Sequence, residues 1–218
     1  MGLDLIVESC AKPGHEAEWR RAVERTFAAA QLSDAEIARF AEISIPPYAQ
    51  LDAPRVGHDA AADAWIIEVR QAGTPEEIAQ VLKDFDGYYA LRLVSSDGLP
   101  KYTHAGLTDA VDETSFRGAF FQACGGVLDK QTTDLAWQHK FPDEAVAYGR
   151  ALLRAADAAA AAGPAPKAPP KRGFLSALGL GRKAADDLPF EEQLDVVRTA
   201  GRWYVFWGER GHPIRAWF

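Results

Sequence analysis

The sequence predicts an α+β fold in which helices pack on a largely antiparallel sheet, with an aromatic hairpin at the C-terminus. Three observations lead to this prediction. Hydrophobic residues make up 48% of the 218 residues and charged residues 25%, as in folded proteins with a sizeable core. Strand and helix patterns alternate in the first half of the chain. Helical patterns then lead to two aromatic strand patterns at the C-terminus.

The N-terminal elements follow from hydrophobic periodicity and capping signals. Residues 3–7 form a short apolar run that predicts a strand. From Glu16 onwards, apolar residues recur every three or four positions, which predicts a helix with Arg20 and Arg21 on its solvated side. Ser33-Asp34-Ala35-Glu36 has the spacing of a capping box and starts a second helix, which ends before the prolines at 46 and 47.

The middle of the chain combines a long loop with further strand and helix signals. Residues 46–63 show no sustained period, and a loop of this length is typically functional or mobile. Residues 65–69 are apolar enough to predict a central strand. A capping box opens a helix over 74–85. Residues 88–94 alternate as a strand, and 99–104 can return as its hairpin partner.

The C-terminal half begins with helical patterns and ends on aromatic residues. A helix is predicted to open at Asp112 and to continue through Ala123. A long alanine-rich helix spans 141–162, and a last helix begins after Pro189 and ends at Gly201. The predicted aromatic hairpin then pairs residues 203–207 with residues 214–218.

A composition change near residue 163 suggests the domain organisation. We expect a main α+β domain over 1–162, and a Pro/Gly/Lys-rich inserted linker with a short amphipathic patch over 163–188. Residues 189–218 then add a C-terminal helix and hairpin that complete the same domain, because aromatic strands are costly to leave exposed. Residues 163–183 contain five basic residues and no acid, so the rest of the chain carries −7 minus 5, that is −12.

Charge and targeting signals restrict the partners. The net charge of −7 and the pI near 5.3 argue against nucleic acid, because phosphate binding needs clustered Lys and Arg. The chain shows no signal peptide and no apolar window long enough for a transmembrane segment, so we expect a cytoplasmic protein. Residues 171–183 are basic and amphipathic, which allows weak contact with anionic membranes. Cys10 and Cys124 are expected to be buried thiols.

The preferred binding site combines polar and ionisable groups near predicted element ends. Tyr102 and His104 share one face of a predicted strand. The helix start near Asp112 would present backbone amides, and Arg117 could hold a carboxylate or phosphate in two parallel hydrogen bonds. The sequence therefore predicts a binding site formed by Tyr102, His104, Asp112 and Arg117. The alternative is that these residues only pack at a hairpin edge and cap a helix.

Two other groups of residues are weaker candidates for a site. Gly57-His58-Asp59 and Asp63 bring an imidazole together with two carboxylates, but their spacing matches no known metal loop, and we predict no metal site. The arginines and tryptophans of the C-terminal segment could line a groove for an anionic ligand or a peptide, although core packing and strand-end charges explain them as well. They are Trp207, Arg210, Arg215 and Trp217.

The motif search favours binding over catalysis. The chain contains no phosphate-binding loop, nucleophile elbow, metalloprotease histidine pair, EF-hand loop or CxxC motif. We therefore predict a non-catalytic protein that binds a small ligand or another protein, and no cofactor. The alternative is a small hydrolase or transferase that uses His104, Asp112 and Arg117. The sequence leaves the ligand, the oligomeric state and the choice between these classes open.

Overall fold

Helices form most of the chain that the structure describes. The structure is a computed structural model, and it describes residues 3–50, 52–88, 90, 93, 115–164 and 188–218. The strands are β1 (Asp4–Val7), β2 (Cys10–Ala11), β3 (Ser44–Ile45), β4 (Ser115–Arg117) and β5 (Ile214–Trp217). The α-helices are α1 (Glu16–Phe27), α2 (Asp34–Ile43), α3 (Pro47–Gln50), α4 (Ala60–Arg70), α5 (Pro75–Asp84), α6 (Lys130–Leu135), α7 (Pro142–Ala162) and α8 (Phe190–Glu209), and a 3-10 helix spans Gly118–Ala123.

The strand β1 lies at the centre of a three-stranded antiparallel sheet. It pairs with β4 on one side and with β5 on the other, so that Leu5 lies opposite Phe116 and Ala216. Leu5 and Val7 are buried, whereas Asp4 and Ile6, which alternate with them along the strand, are partly exposed. β2 and β3 form a separate antiparallel pair. The predicted strand at 3–7 and the antiparallel α+β character are confirmed.

The helices α7 and α8 supply most of the core against the sheet. The fully buried side chains of Trp203, Tyr204 and Trp207 belong to the same hydrophobic cluster as Leu3 and Leu5. This cluster therefore joins residues from both ends of the chain. Burying aromatic side chains of this size is among the largest stabilising contributions that single residues make.

Two glycines let the backbones of α7 and α8 come into direct contact. A Cβ atom on Gly149 would lie 2.7 Å from the backbone oxygen of Gly201, and one on Gly201 would lie 3.0 Å from the backbone oxygen of Gly149. The Gly201 position is also closed by Leu153, whose side chain would be 2.8 Å from the added atom. Any larger residue at either position would push the helices apart.

The two helix starts predicted from capping boxes, at Ser33 and Thr74, are confirmed. The hydroxyl oxygen of Ser33 accepts a hydrogen bond from the backbone N–H of Glu36 at 3.4 Å, and the Thr74 hydroxyl accepts one from Glu77 at 3.2 Å. In both helices the glutamate side chain accepts from the backbone of the capping residue, which completes the capping box.

The prediction of a C-terminal aromatic hairpin is wrong for its first strand. Residues 203–207 lie inside α8, and only Ile214–Trp217 forms a strand, which pairs with β1. The run of aromatic residues has strand propensity, but Leu194, Val197 and Tyr204 recur at helical spacing and all face the core. Burial of a helical stripe has therefore overridden local β-propensity.

Other predicted elements also change type. The predicted strand at 65–69 is part of α4, where alanines at the helix start favour helix and where Ala62 and Ile66 are buried one turn apart. The predicted helix from Asp112 is replaced, over the described residues, by β4 and the 3-10 helix, because residues 115–117 pair with β1. Tyr88 and Ala90 are not in a strand.

The predicted division into 1–162, 163–188 and 189–218 stays a prediction, because most of the linker lies outside the described residues. Within the described ranges, β5 pairs with β1, and α8 shares one hydrophobic cluster with α7. No helix in these ranges combines the length and apolar character needed to cross a membrane.

A fully buried histidine joins three segments near the end of β1. His212 Nδ1 lies 2.8 Å from the backbone oxygen of Glu8, and Nε2 lies 2.9 Å from Oε1 of Gln50 in α3. Its ring also packs edge-on against Trp207. Burial lowers the pKa of His212 to about 4, and Arg210 adds to this, while the hydrogen bond to Glu8 opposes it.

We predict that replacing Gly201 by alanine destabilises the protein. The added methyl group would displace Leu153 or separate α7 from α8. We expect a loss on the order of 2 kcal/mol, which lowers Tm by about 4–8 °C in thermal unfolding followed by circular dichroism. Gly125→Ala is the control, because a Cβ there meets nothing within 4 Å. Equal Tm values for the two variants would contradict direct backbone contact between the helices.

We also predict that His212 makes the protein less stable in acid. Because its folded-state pKa is depressed, the unfolded chain binds the proton more tightly, so stability is lost as pH falls from about 6.5 towards 4. Urea unfolding across this range should show a fall of roughly 3 kcal/mol from this group. In the His212→Gln variant, the same fall in pH should lower the free energy of unfolding by a smaller amount. An unchanged pH dependence in that variant would contradict the prediction.

Candidate functional site

A cleft of about 440 Å³ lies between α1 and α2. Its lining combines apolar side chains with charged ones that are mostly more exposed. The apolar residues are Ala22, Leu32, Ala35, Phe40 and Ile43, and the charged residues are Glu18, Arg21, Arg25, Glu36 and Arg39. The cleft is thus suited to a molecule that has both an apolar and a charged part.

Helical spacing brings these residues to the cleft. In α1, Glu18, Ala22 and Arg25 are separated by four and three positions, so they lie on one face. In α2, Glu36 and Phe40 are four positions apart, and Ile43 follows one turn later. Both walls therefore follow from the regular geometry of the two helices.

Ion pairs across the cleft use most of its charges. Arg39 of α2 donates from Nε and Nη2 to the two carboxylate oxygens of Glu18 in α1, each at 2.9 Å. Arg25 of α1 pairs with Glu36 of α2. Hydrogen bonds from Ser33 and the contact with Arg25 lower the pKa of Glu36 to about 2. The hydrogen bonds from Arg39 likewise lower the pKa of Glu18, so both acids are negatively charged at neutral pH.

Arg21 differs from the other cations of the cleft. Its Nε donates to the backbone oxygen of Ala17 at 3.1 Å. Within the described parts of the chain, no carboxylate lies within ion-pairing distance of its guanidinium. The lining contains three arginines and two glutamates, but Arg39 also pairs with Glu42 at 2.9 Å, so Arg21 is the arginine of this lining without a carboxylate partner among the described residues. Arg21 is the group that can bind an incoming anion.

A second cavity of about 170 Å³ adjoins the cleft. It is lined by Glu8, Val23, Thr26, Phe27, Phe40 and Arg215, so Phe40 contributes to both spaces. Glu8 follows β1, and Arg215 lies on β5 opposite Ile6. The Nε of Arg215 is 2.7 Å from Oε1 of Glu8. Burial raises the pKa of Glu8, and the positive charge of Arg215 opposes this rise.

His139 connects the wall of this cavity to β5. Its ring stacks on Phe27 with centroids 4.4 Å apart, and its Nδ1 accepts a hydrogen bond from the backbone N–H of Ala216 at 3.2 Å. Burial lowers the pKa of His139, a hydrogen bond with the backbone of Phe27 opposes this, and Arg215 and Lys140 lower the pKa further. The neutral imidazole thus holds the C-terminal end of α1 against the sheet.

Comparison with family models, curated proteins and solved structures finds no significant match to this chain. The chemistry of the site is therefore the basis for the function.

The structure leaves the predicted binding site untested. Tyr102, His104 and Asp112 lie outside the described residues. Arg117 is on β4, opposite Asp4 of β1, and not on a helix as the sequence suggested. A binding site formed by Tyr102, His104, Asp112 and Arg117 stays a prediction, as does the alternative hydrolase or transferase that would use it.

The carboxylates of Asp59 and Asp63 accept hydrogen bonds from backbone N–H groups of the loop before α4. Asp59 accepts a hydrogen bond from the backbone N–H of Arg55, and Asp63 accepts one from Gly57, each at 2.7 Å. His58 lies 4.0 Å from a carboxylate oxygen of Asp86. Among the described residues, no three His, Cys, Asp or Glu side chains are grouped closely enough to hold a metal ion.

The C-terminal arginines and tryptophans do not form one groove. Trp207 is fully buried, whereas 62% of Trp217 is exposed. The guanidinium of Arg210 lies 3.6 Å from the centroid of the Phe206 ring. Arg215 alone of these residues reaches the candidate site. Sequence reasoning missed Arg21, because its distinction from Arg25 depends on which acid each arginine meets in the folded chain.

We predict that the pKa of Glu8 lies above its usual range and rises further in Arg215→Gln, because that substitution removes the charge that favours the carboxylate. Since the folded-state pKa is raised, the contribution of Glu8 to stability declines as pH rises from the unfolded pKa through the folded one. Carboxyl NMR titration measures both values. A lower pKa for Glu8 in Arg215→Gln would contradict the assigned ion pair.

Proposed function

We propose that this protein binds a small amphipathic carboxylate, such as a medium-chain fatty acid, in the cleft between α1 and α2, and that it does not catalyse a reaction. The observation that carries this proposal is Arg21, a cation without an acid partner among the described residues, at the edge of an apolar cleft. The cleft volume of about 440 Å³ falls in the range of small-molecule sites, ~300–1,000 Å³.

The apolar lining would supply most of the binding free energy. Ala22 and Leu32 offer aliphatic surface and Phe40 offers an aromatic ring, whereas Ile43 at the same cleft is buried. Each methylene group moved out of water contributes about 0.8 kcal/mol. A chain of several methylene groups therefore binds with useful affinity even where part of the cleft stays open to solvent.

The head group would be recognised by Arg21. A guanidinium presents parallel N–H donors that match the two oxygens of a carboxylate. Arg25 and Arg39 already donate to glutamates, so they are less available. The chain as a whole carries −7 and repels anions at long range, so specificity for a carboxylate depends on this local contact.

The lining also favours binding over catalysis. Its described residues include no histidine, cysteine, serine or lysine that could serve as nucleophile or proton carrier. The two glutamates are engaged in ion pairs with arginines of the facing helix. Their pKa values are lowered, which makes them poor proton acceptors near neutral pH.

Calorimetric titration with decanoate tests the proposal. We expect saturable binding of decanoate, with decanol and decylamine at least tenfold weaker because neither matches Arg21. Arg21→Gln should weaken decanoate binding by about 10-fold or more, the usual effect of losing a hydrogen bond to a charged group. The difference in decanoate affinity between the parent and Arg21→Gln should decrease as salt is added, because the Arg21 side chain is exposed and salt screens its charge.

Arg20→Gln is the matched control. Arg20 is the neighbouring residue on α1, but it pairs with Glu24 and stacks over the ring of Phe141 instead of lining the cleft. Its variant should bind decanoate like the parent protein. Equal affinity for decanoate and decanol, or equal effects of the two arginine substitutions, would overturn the proposed function.

A further inference from the structure

Phe40 occupies the boundary between the two spaces of the site. Its side chain lines both the 440 Å³ cleft, which contains Arg21, and the 170 Å³ cavity, which contains Glu8 and Arg215. An extended ligand whose carboxylate contacts Arg21 would reach the ring of Phe40 before it could enter the smaller cavity.

We infer that Phe40 is a specificity-determining residue that limits the length of the ligand's apolar chain, so that the protein selects medium-chain over long-chain carboxylates. This inference rests on the proposed function and adds a determinant to it. Phe40 is the one residue that the described linings of the two spaces share, so a chain that extends from the cleft into the smaller cavity must pass its ring.

The position of Phe40 is well supported by its surroundings. Its side chain is half-buried and packs against the hydrophobic cluster of Trp19, Val23 and Ile43. Its backbone oxygen accepts a hydrogen bond from the Ser44 hydroxyl at 2.6 Å, which ties the last turn of α2 to β3. A ring packed against this cluster, on a helix whose last turn is fixed by that hydrogen bond, can act as an end wall.

The volume of the cavity behind Phe40 limits how many carbon atoms a longer ligand could place there. A volume of about 170 Å³ accommodates a few methylene groups, since a water molecule, of similar size, occupies about 30 Å³. Val23 and Phe27 give this space apolar walls. The same lining includes the ion pair of Glu8 and Arg215, which loses hydration if an apolar chain covers it. Removing the ring should therefore extend the permitted chain by a few carbons and no more.

A chain-length series tests the inference. The ligands are octanoate, decanoate, dodecanoate, tetradecanoate and hexadecanoate, each kept below its micelle-forming concentration. For the parent protein we expect affinity to rise about fourfold per added methylene and then to stop rising at a limiting length. In Phe40→Ala the limit should move to longer chains, and the longest ligands should bind at least tenfold more tightly than they bind the parent.

Two further variants keep the test decisive. Phe40→Leu retains most of the packing, so it can replace the alanine variant if that variant fails to fold. It should shift the limiting chain length in the same direction by a smaller amount. Ile37→Ala is the control, because Ile37 lies on the same helix, is 54% exposed and lines neither space. It should leave the limiting length unchanged.

The outcomes separate the two proposals. If no carboxylate binds the parent protein, the proposed function fails and this inference fails with it. If carboxylates bind through Arg21 but the limiting length is the same in the parent, Phe40→Ala and Phe40→Leu, only the assignment of Phe40 is overturned. A shift of equal size in Ile37→Ala would also overturn it.

Discussion

One face of strand β1 lies in the hydrophobic core, and the other lies beside Arg215 and the smaller cavity of the candidate site. The position of the candidate site depends on this division. Successive side chains of a strand point to opposite faces. The register that places Val7 opposite Ile214 in the core therefore also places Ile6 opposite Arg215 on the other face. A shift by one residue would exchange the two faces, which would bury Arg215 in the core and expose Ile214. The ion pair with Glu8 is thus fixed by the same pairing that builds the core.

The two faces of the sheet differ in how firmly they are covered. On the core side, direct backbone contact at Gly149 and Gly201 holds α7 against α8, and fully buried aromatic residues fill the remaining space. On the other side, α2 contributes Ile43 as its buried residue and is joined to α1 largely by exposed ion pairs. Exposed ion pairs add little stability because water screens them. The cleft between α1 and α2 therefore lies on the less firmly held side of the sheet, which would suit the ligand binding that we propose.

The sequence predicted best those elements whose signals are local. The capping boxes at Ser33 and Thr74 fix helix starts through contacts three residues apart, so they can be recognised without knowledge of the fold. Residues 203–207 were misassigned because a run of aromatic residues has strand propensity, whereas the deciding factor was the burial of one face of a twenty-residue helix. Residues 115–117 were misassigned because their strand exists only through pairing with β1.

The candidate site could not be predicted in the same way, because its pairs form between distant parts of the chain. Glu18 and Arg39 are 21 residues apart, and Glu8 and Arg215 come from opposite ends of the chain. Nothing local shows which arginine will lack an acid partner.

If the proposed carboxylate binding holds, the same distribution of charge makes the apolar part of the site decisive for specificity. The chain carries −7, so an approaching carboxylate is repelled until it comes within about 8–10 Å of the cleft, where the guanidinium of Arg21 can attract it. A single exposed guanidinium can choose the head group, but it cannot distinguish carboxylates of different chain length. That distinction has to come from the apolar surface, whose contribution grows with every methylene group until a side chain stops it. The side chain that we propose at that boundary is Phe40, whose ring packs against the cluster around Val23 and whose backbone oxygen accepts a hydrogen bond from Ser44 in β3.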